Sequence, residues 1–180
     1  MEEHLSKFLN PESIIKQIGL EVGMIVADFG CGSGYKTFAA ARAIGEQGKV
    51  FAIDVQKSVL EQVEKEARME HINNIEPIWA DLEVPGATGI AQNSVDMVFL
   101  VNLLFQINDK NAIFAEAKRI LKQGSRILVI DWKKGNTNIG PNQDKRVDLA
   151  SIKQIAQEFR FSEEKEIDAG KYHFGILFVS

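Results

Sequence analysis

Val26-Ala27-Asp28-Phe29-Gly30-Cys31-Gly32-Ser33-Gly34 is the stretch whose reading decides the fold of this chain. It ends a short apolar run that begins at Met24. It is followed by YKTFAAARAI, Tyr35 to Ile44, which is rich in helix-forming alanine and stops at Gly45. The pattern reads as strand, tight turn, helix: glycine lets the backbone bend sharply and lets a ligand approach the main chain closely. An acid, Asp28, stands near the end of the strand.

Outward from that turn the alternation repeats. Lys49 to Asp54 is a second apolar strand, and Ser58 to His71 places Leu60, Val63 and Ala67 on one helical stripe among glutamates and lysines. A third strand is IEPIWAD, Ile75 to Asp81, which Pro77 weakens and so places near a sheet edge. Val95 to Val101 is the fourth. Asp109 then caps a helix carrying Ile113, Ala117, Ile120 and Leu121, which the pattern ends at Gly124, and Arg126 to Trp132 is the fifth strand. Lys133 to Arg146 has almost no apolar residues and reads as a loop of functional length, a candidate lid. Asp148 caps a last helix, and FSEEKEID with Tyr172 to Val179 closes the chain as a hairpin. Upstream, residues 1–22 form a helical segment with Asn10 as N-cap, Pro11 in the first turn and Glu12 at the positive helix end. Strands alternating with helices in this way require a mostly parallel sheet covered on both faces, with right-handed crossovers.

The chain has 180 residues, 45% of them hydrophobic and 26% charged, which is the balance of one globular domain spanning residues 1–180. A formal net charge of -4 gives no bulk attraction for a polyanion, so nucleic acid is disfavoured as a partner and a small-molecule or protein acceptor comes first. The single cysteine, Cys31, excludes an intrachain disulfide, and no Cys/His pattern points to a metal. The N-terminus lacks the basic start and apolar run of a secretory signal, and no apolar stretch reaches membrane-spanning length. The expected compartment is the cytoplasm.

Asp54 ends the second strand about twenty residues after the glycine turn, where a carboxylate accepts the hydroxyls of a ribose. A nicotinamide fingerprint would require glycine where Tyr35 stands, which argues against hydride transfer. Asp81 follows Trp79-Ala80 at the end of the third strand. Asp28, the glycines, Asp54 and Asp81 thus lie at the carboxyl ends of successive strands, the edge where open α/β sheets bind ligands.

The acid followed by G-x-G-x-G resembles the first motif of the class I S-adenosylmethionine-dependent methyltransferases, and the resemblance runs from about Asn10 to the C-terminus. It implies a three-layer α/β Rossmann-like fold with a seven-stranded sheet in the order 3-2-1-4-5-7-6, strand 7 antiparallel. It implies S-adenosylmethionine as cofactor. Asp28 and the backbone of Gly30, Cys31, Gly32 and Gly34 would hold the methionine end, Asp54 the ribose, Val55 and Leu82 the adenine, and Asp81 its amino group. Val101 and Asn102 would border the methionine amino group. More loosely, the FLNPE opening and the short body are similar to small-molecule methyltransferases of the ubiquinone/menaquinone-biosynthesis type. The amine motif of nucleic-acid N-methyltransferases and the proline-cysteine nucleophile of pyrimidine-carbon enzymes are not seen.

Catalytic groups are less legible. An antiparallel strand 7 would begin at the acceptor side, so Tyr172 and His173 are candidates, His173 as a general base. A packed or merely exposed histidine is the more common reading of such a residue. Asp131 could orient an acceptor, and Trp132 could cover one or simply pack under the loop. Phe105 and Gln106 could line the acceptor side, although the run VFLVNLLF reads more simply as core. Two other functions stay open, a donor-binding partner or sensor without catalysis and an NAD-dependent oxidoreductase.

Overall fold

The structure is a computed structural model that describes residues 9–135 and 138–180. Helix α1, Pro11–Ile18, starts where Asn10 Oδ1 accepts the Ser13 N–H at 2.9 Å and buries Ile14 and Ile18. Strand β1 is Ile25–Phe29, and α2, Tyr35–Ile44, follows the glycine turn. Then come β2, Lys49–Asp54, α3, Lys57–Met69, and β3, Ile75–Trp79. Strand β4 is Val95–Val101, and α4, Lys110–Ile120, is capped by Asp109 accepting the Ala112 N–H at 3.1 Å. Strand β5 is Leu121–Trp132. Helix α5, Leu149–Glu158, is capped by Asp148 through the Ser151 N–H at 3.2 Å, and β6, Ser162–Glu166, and β7, His173–Val179, end the chain. Each polar cap satisfies an N–H that a helix start would otherwise leave open.

The strands form one sheet in the order β3-β2-β1-β4-β5-β7-β6, parallel except at β7, which runs antiparallel to both β5 and β6. Successive residues of a strand point to opposite faces, and here both faces are covered. Val26, Met97 and Leu128 pack with α1 and α2 on one side. Ala27, Val98, Ile127 and Val129 pack with Ile113, Phe114 and Ala117 of α4 and Ile152 and Ala156 of α5 on the other. Pro77 is tolerated because β3 is the sheet's edge and has a neighbour on one side only. No helix among the described residues is long and apolar enough to cross a membrane.

The boundary between α4 and β5 differs from the pattern-based expectation. The helix ends at Ile120, not at Gly124, and the strand begins five residues before Arg126, at Leu121. Leu121 already pairs with Val95, and the register then jumps so that Arg126 pairs with Met97. Gly124, at φ +74°, sits in this irregularity, its N–H donating to the Ser180 carbonyl at 3.2 Å while the Ser180 N–H donates to Ser125 at 2.8 Å. A left-handed glycine serves a helix end and a bulge equally well, and long-range pairing with the C-terminus chooses the bulge.

The described part of segment 133–146 lies down on the sheet edge. The Arg146 guanidinium, 3% exposed, donates to the carbonyls of Lys133, Ile139 and Pro141 at 2.9, 2.5 and 3.0 Å. Gly140 packs so closely on Trp132 that a Cβ there would meet its ring at 2.4 Å. Trp132, 6% exposed, is therefore a floor under this loop. Residues 136 and 137 of the expected lid fall outside the described residues.

Candidate active site

The site begins where β1 ends. The N–H groups of Gly30 and Cys31 both donate to the Ile53 carbonyl, at 2.8 and 2.9 Å, which folds the turn over the end of β2. Gly30, at φ +70°, also abuts Leu103, whose Cδ1 a Cβ would meet at 2.8 Å. Gly32, at φ +52°, is different: a Cβ there would meet nothing within 4 Å, because its face is open.

That open face belongs to a cavity of about 460 Å³. Its walls include nine of the eleven positions expected to bind the cofactor: Gly30, Cys31, Gly32, Asp54, Val55, Asp81, Leu82, Val101 and Asn102. They meet because β1, β2 and β4 are parallel neighbours whose carboxyl ends share one edge. The Asp54 carboxylate, 8% exposed, is fixed by two backbone donors, Gly32 N–H to Oδ2 at 3.1 Å and Gln56 N–H to Oδ1 at 2.9 Å. Asp81 is exposed, and its Oδ1 accepts the Glu83 N–H at 2.9 Å. Asn102 holds a left-handed backbone at φ +55°, with its N–H donating to the Ile130 carbonyl at 2.8 Å. Its buried Oδ1 has no hydrogen-bond partner among the described residues.

Two expected positions lie elsewhere. Asp28 is fully buried beneath the turn, one oxygen accepting from the Thr37 hydroxyl at 2.7 Å and the other without a partner among the described residues. Burial pushes its pKa up, against the pull of Lys36 and the Thr37 bond. Gly34 is the N-cap of α2, where a Cβ would meet the side chains of Phe38 at 2.8 Å and Val63 at 3.1 Å. Neither lines the cavity, so any effect they have on a ligand passes through the turn they support.

Cys31 lines the wall as a buried neutral thiol, since burial and then the charges of Asp28 and Asp54 push its pKa up. Lys36 and Gln106 also line the cavity and were not among the expected cofactor contacts. Gln106 is exposed where the chain turns through a short 3-10 segment, Leu104–Gln106, just past β4. Its amide donates to the Asn102 carbonyl at 3.0 Å. A lysine in the first turn of a helix carries no local signal that separates a binding role from a solvated one.

None of the three catalytic candidates lines this cavity. Asp131 is fully buried and accepts the Trp132 N–H at 2.8 Å and the Phe105 N–H at 3.3 Å. Burial raises its pKa to about 6. It buttresses the turn after β4. His173, 2% exposed, lies against Trp132 with ring centroids 4.1 Å apart. Burial first, then the charges of Lys133 and Arg146, lower its pKa to about 4, so its ring is neutral at pH 7. Tyr172 is half-buried, and its carbonyl accepts the Lys133 N–H at 2.9 Å.

A glycine turn and strand-end carboxylates around one cavity, on a sheet with a reversed seventh strand, define a nucleoside-binding α/β protein of the methyltransferase architecture. Residues 20–171 match a family model described as a methyltransferase domain. The chain is 33% identical over 122 residues to the ubiquinone/menaquinone biosynthesis C-methyltransferase of Hahella chejuensis, covering 67% of this chain and 47% of that protein. It is 31% identical over 142 residues to the enzyme of the same name from Shewanella halifaxensis, covering 78% and 54%. The chain thus spans about half the length of these curated relatives. A solved S-adenosylmethionine-dependent methyltransferase from Aquifex aeolicus superposes with a TM-score of 0.87 at 26% identity, covering 97% of this chain and 91% of that one. The chain belongs to the class I S-adenosylmethionine-dependent methyltransferases.

The residues present fit that cofactor. An unpartnered amide oxygen at Asn102 suits an ammonium group, a twice-anchored carboxylate at Asp54 suits a diol, and the bare face of Gly32 leaves room against the main chain.

Proposed function

We propose that this chain transfers the methyl group of S-adenosylmethionine to a small-molecule acceptor. The observation that carries the reading is the convergence of Gly32, Asp54, Asp81 and Asn102 on one cavity of about 460 Å³, within the size range of small-ligand sites. In this reading Asp54 accepts the ribose hydroxyls, Asp81 takes the adenine amino group, and Val55 and Leu82 flank the base. Asn102 Oδ1 accepts from the methionine ammonium, and Lys36 pairs with its carboxylate. The bound donor supplies an electrophilic methyl group on a sulfonium.

The protein's own contribution is to hold donor and acceptor in line and to exclude water, an effect of about 7 to 11 kcal/mol in well-oriented systems. Asp54 is fixed before the ligand arrives by its two backbone bonds, so little ordering is needed on binding. The names of the curated relatives support a carbon acceptor within the small-molecule class. Calorimetric titration with S-adenosylmethionine, S-adenosylhomocysteine and NAD tests the donor reading, and uptake of NAD alone overturns it. Donor binding without methyl transfer to any quinol, phenol, amine or thiol tested would make the chain a binding partner or sensor instead.

A further inference from the structure

The side chain of Glu83 ties the turn that follows β3 to the segment that follows β4. Its Oε2 accepts the Asp109 N–H at 2.8 Å, across 26 residues of sequence, and Glu83 also lines the cavity. Gln106 and Ile107, just before Asp109, line the same cavity from the β4 side. Asp109 is held in place as the N-cap of α4, where its own carboxylate accepts the Ala112 N–H at 3.1 Å. The amide that Glu83 meets thus stands at the positive end of that helix, which favours a carboxylate as its partner.

Within its own turn Glu83 orients Asp81. The Glu83 N–H donates to Asp81 Oδ1 at 2.9 Å, an Asx turn, and the Val84 N–H donates to the Asp81 carbonyl at 3.0 Å. Asp81 is exposed, whereas Leu82 between the two acids is buried. Packing therefore anchors Leu82, while the Asp81 carboxylate depends on hydrogen bonds for its direction. Glu83 supplies one of them with its N–H, and its own side chain is clamped to the start of α4. Further along the same loop Glu116 holds Gly86 and Thr88. Those bonds fasten the later part of the loop, and Glu83 fastens the part, residues 80–83, that lines the cavity.

On the basis of the donor reading above, we propose that Glu83 is a positioning residue for base recognition. By holding residues 81–83 against the start of α4 it aims the Asp81 carboxylate at the amino group of adenine, and so sets the preference for adenine over a purine with a carbonyl at that position. Adenine offers N–H donors there, which an ionised carboxylate accepts, whereas hypoxanthine offers an acceptor that the same carboxylate repels. Such discrimination depends on direction, because a hydrogen bond weakens steeply once its donor and acceptor lose alignment. A carboxylate set before the ligand arrives also leaves less ordering to be done on binding.

Calorimetric titration with S-adenosylhomocysteine and with its hypoxanthine counterpart, S-inosylhomocysteine, measures this preference in the original protein, in Glu83→Ala, Glu83→Gln and Asp81→Ala, and in the double variant of Asp81→Ala with Glu83→Ala. The original protein should prefer the adenine compound by about tenfold or more. In Glu83→Ala the preference should shrink to about threefold or less, through weaker binding of the adenine compound. Glu83→Gln, which keeps an acceptor for the Asp109 N–H, should retain most of it. In the Asp81→Ala background, removing the Glu83 side chain should change S-adenosylhomocysteine affinity by less than about twofold, since Glu83 acts through Asp81. A merely structural role would weaken both compounds alike and leave their ratio untouched, and that result overturns the proposal. So does a full further loss in the double variant, which would mean that Glu83 touches the ligand directly, or a Glu83→Gln protein no better than Glu83→Ala. Should Glu83→Ala not fold, Glu83→Leu, with bulk but no acceptor, makes the same comparison. If the original protein binds neither compound, the donor reading fails and takes the role of Glu83 with it. If it binds S-adenosylhomocysteine but prefers neither base, the donor reading stands and the role of Glu83 falls alone.

Discussion

Replacing His173 with phenylalanine should change how stability depends on acid, and the sign follows from the burial of two neighbouring groups. His173 has a folded pKa of about 4 against an ordinary 6.5. Between those values the unfolded chain takes up a proton that the folded chain refuses. Its contribution is therefore complete above pH 6.5 and is lost as pH falls toward 4. Asp131 acts in the opposite sense. Its pKa is raised from 3.8 to about 6, so the folded chain holds a proton that the unfolded chain releases. That contribution is complete below pH 3.8 and is lost as pH rises toward 6. Each slope is about 1.4 kcal/mol per pH unit, and between pH 4 and 6 the two nearly cancel. His173→Phe removes one slope and leaves the other. Relative to the original protein, the variant should gain about 3 kcal/mol between pH 7 and pH 4. Urea unfolding followed by tryptophan fluorescence at micromolar concentration, at pH 4, 5, 6 and 7, measures this difference, and every group common to both proteins drops out of it. A difference constant to within about 0.5 kcal/mol across that range would show that His173 titrates normally and is not held neutral by burial.

Other expectations concern the donor cavity. Asp54→Asn keeps the shape but removes the charge that strengthens the ribose contact and the bonds from Gly32 and Gln56. It should weaken S-adenosylhomocysteine by about 1 to 2 kcal/mol, roughly tenfold, and unchanged affinity by calorimetry would remove the ribose assignment. Gly32→Ala places a methyl group in the cavity and strains a backbone at φ +52° by about 1 kcal/mol; donor affinity should fall more than the melting temperature implies, and equal losses would mean that the residue does not face the ligand. Glu116, 3% exposed, accepts the Thr88 hydroxyl at 2.5 Å, the Gly86 N–H at 3.3 Å and the Arg119 guanidinium at 2.7 Å, tying the loop after Asp81 to α4. Burial alone would raise its pKa, but Arg119 and Thr88 outweigh that and hold it low. Glu116→Gln should cost about 2 kcal/mol, less than a fully buried pair because Arg119 reaches solvent, and calorimetric melting should show a drop of about 4 to 8 °C.

The order of strands and helices was legible along the chain because each element announces itself locally. Asn10, Asp109 and Asp148 cap helices within three residues of their own position, and apolar runs mark the strands. The cavity at the strand ends was legible for a related reason. In an alternating α/β chain the strand ends share one edge, so the glycine turn, Asp54, Asp81 and Asn102 had to converge once β1, β2, β3 and β4 were parallel neighbours. Tertiary packing alone decided the rest. Gly124 became a bulge because Ser180 paired with it across the sheet, and Asp131 and His173 were carried below the surface by the turn after β4 and by the loop over Trp132. Lys36 and Gln106 entered the cavity wall through the way α2 and the 3-10 turn pack over the sheet edge. Whether a polar side chain faces solvent, a ligand or a neighbour depends on residues far away in sequence, and no local pattern carries that distance.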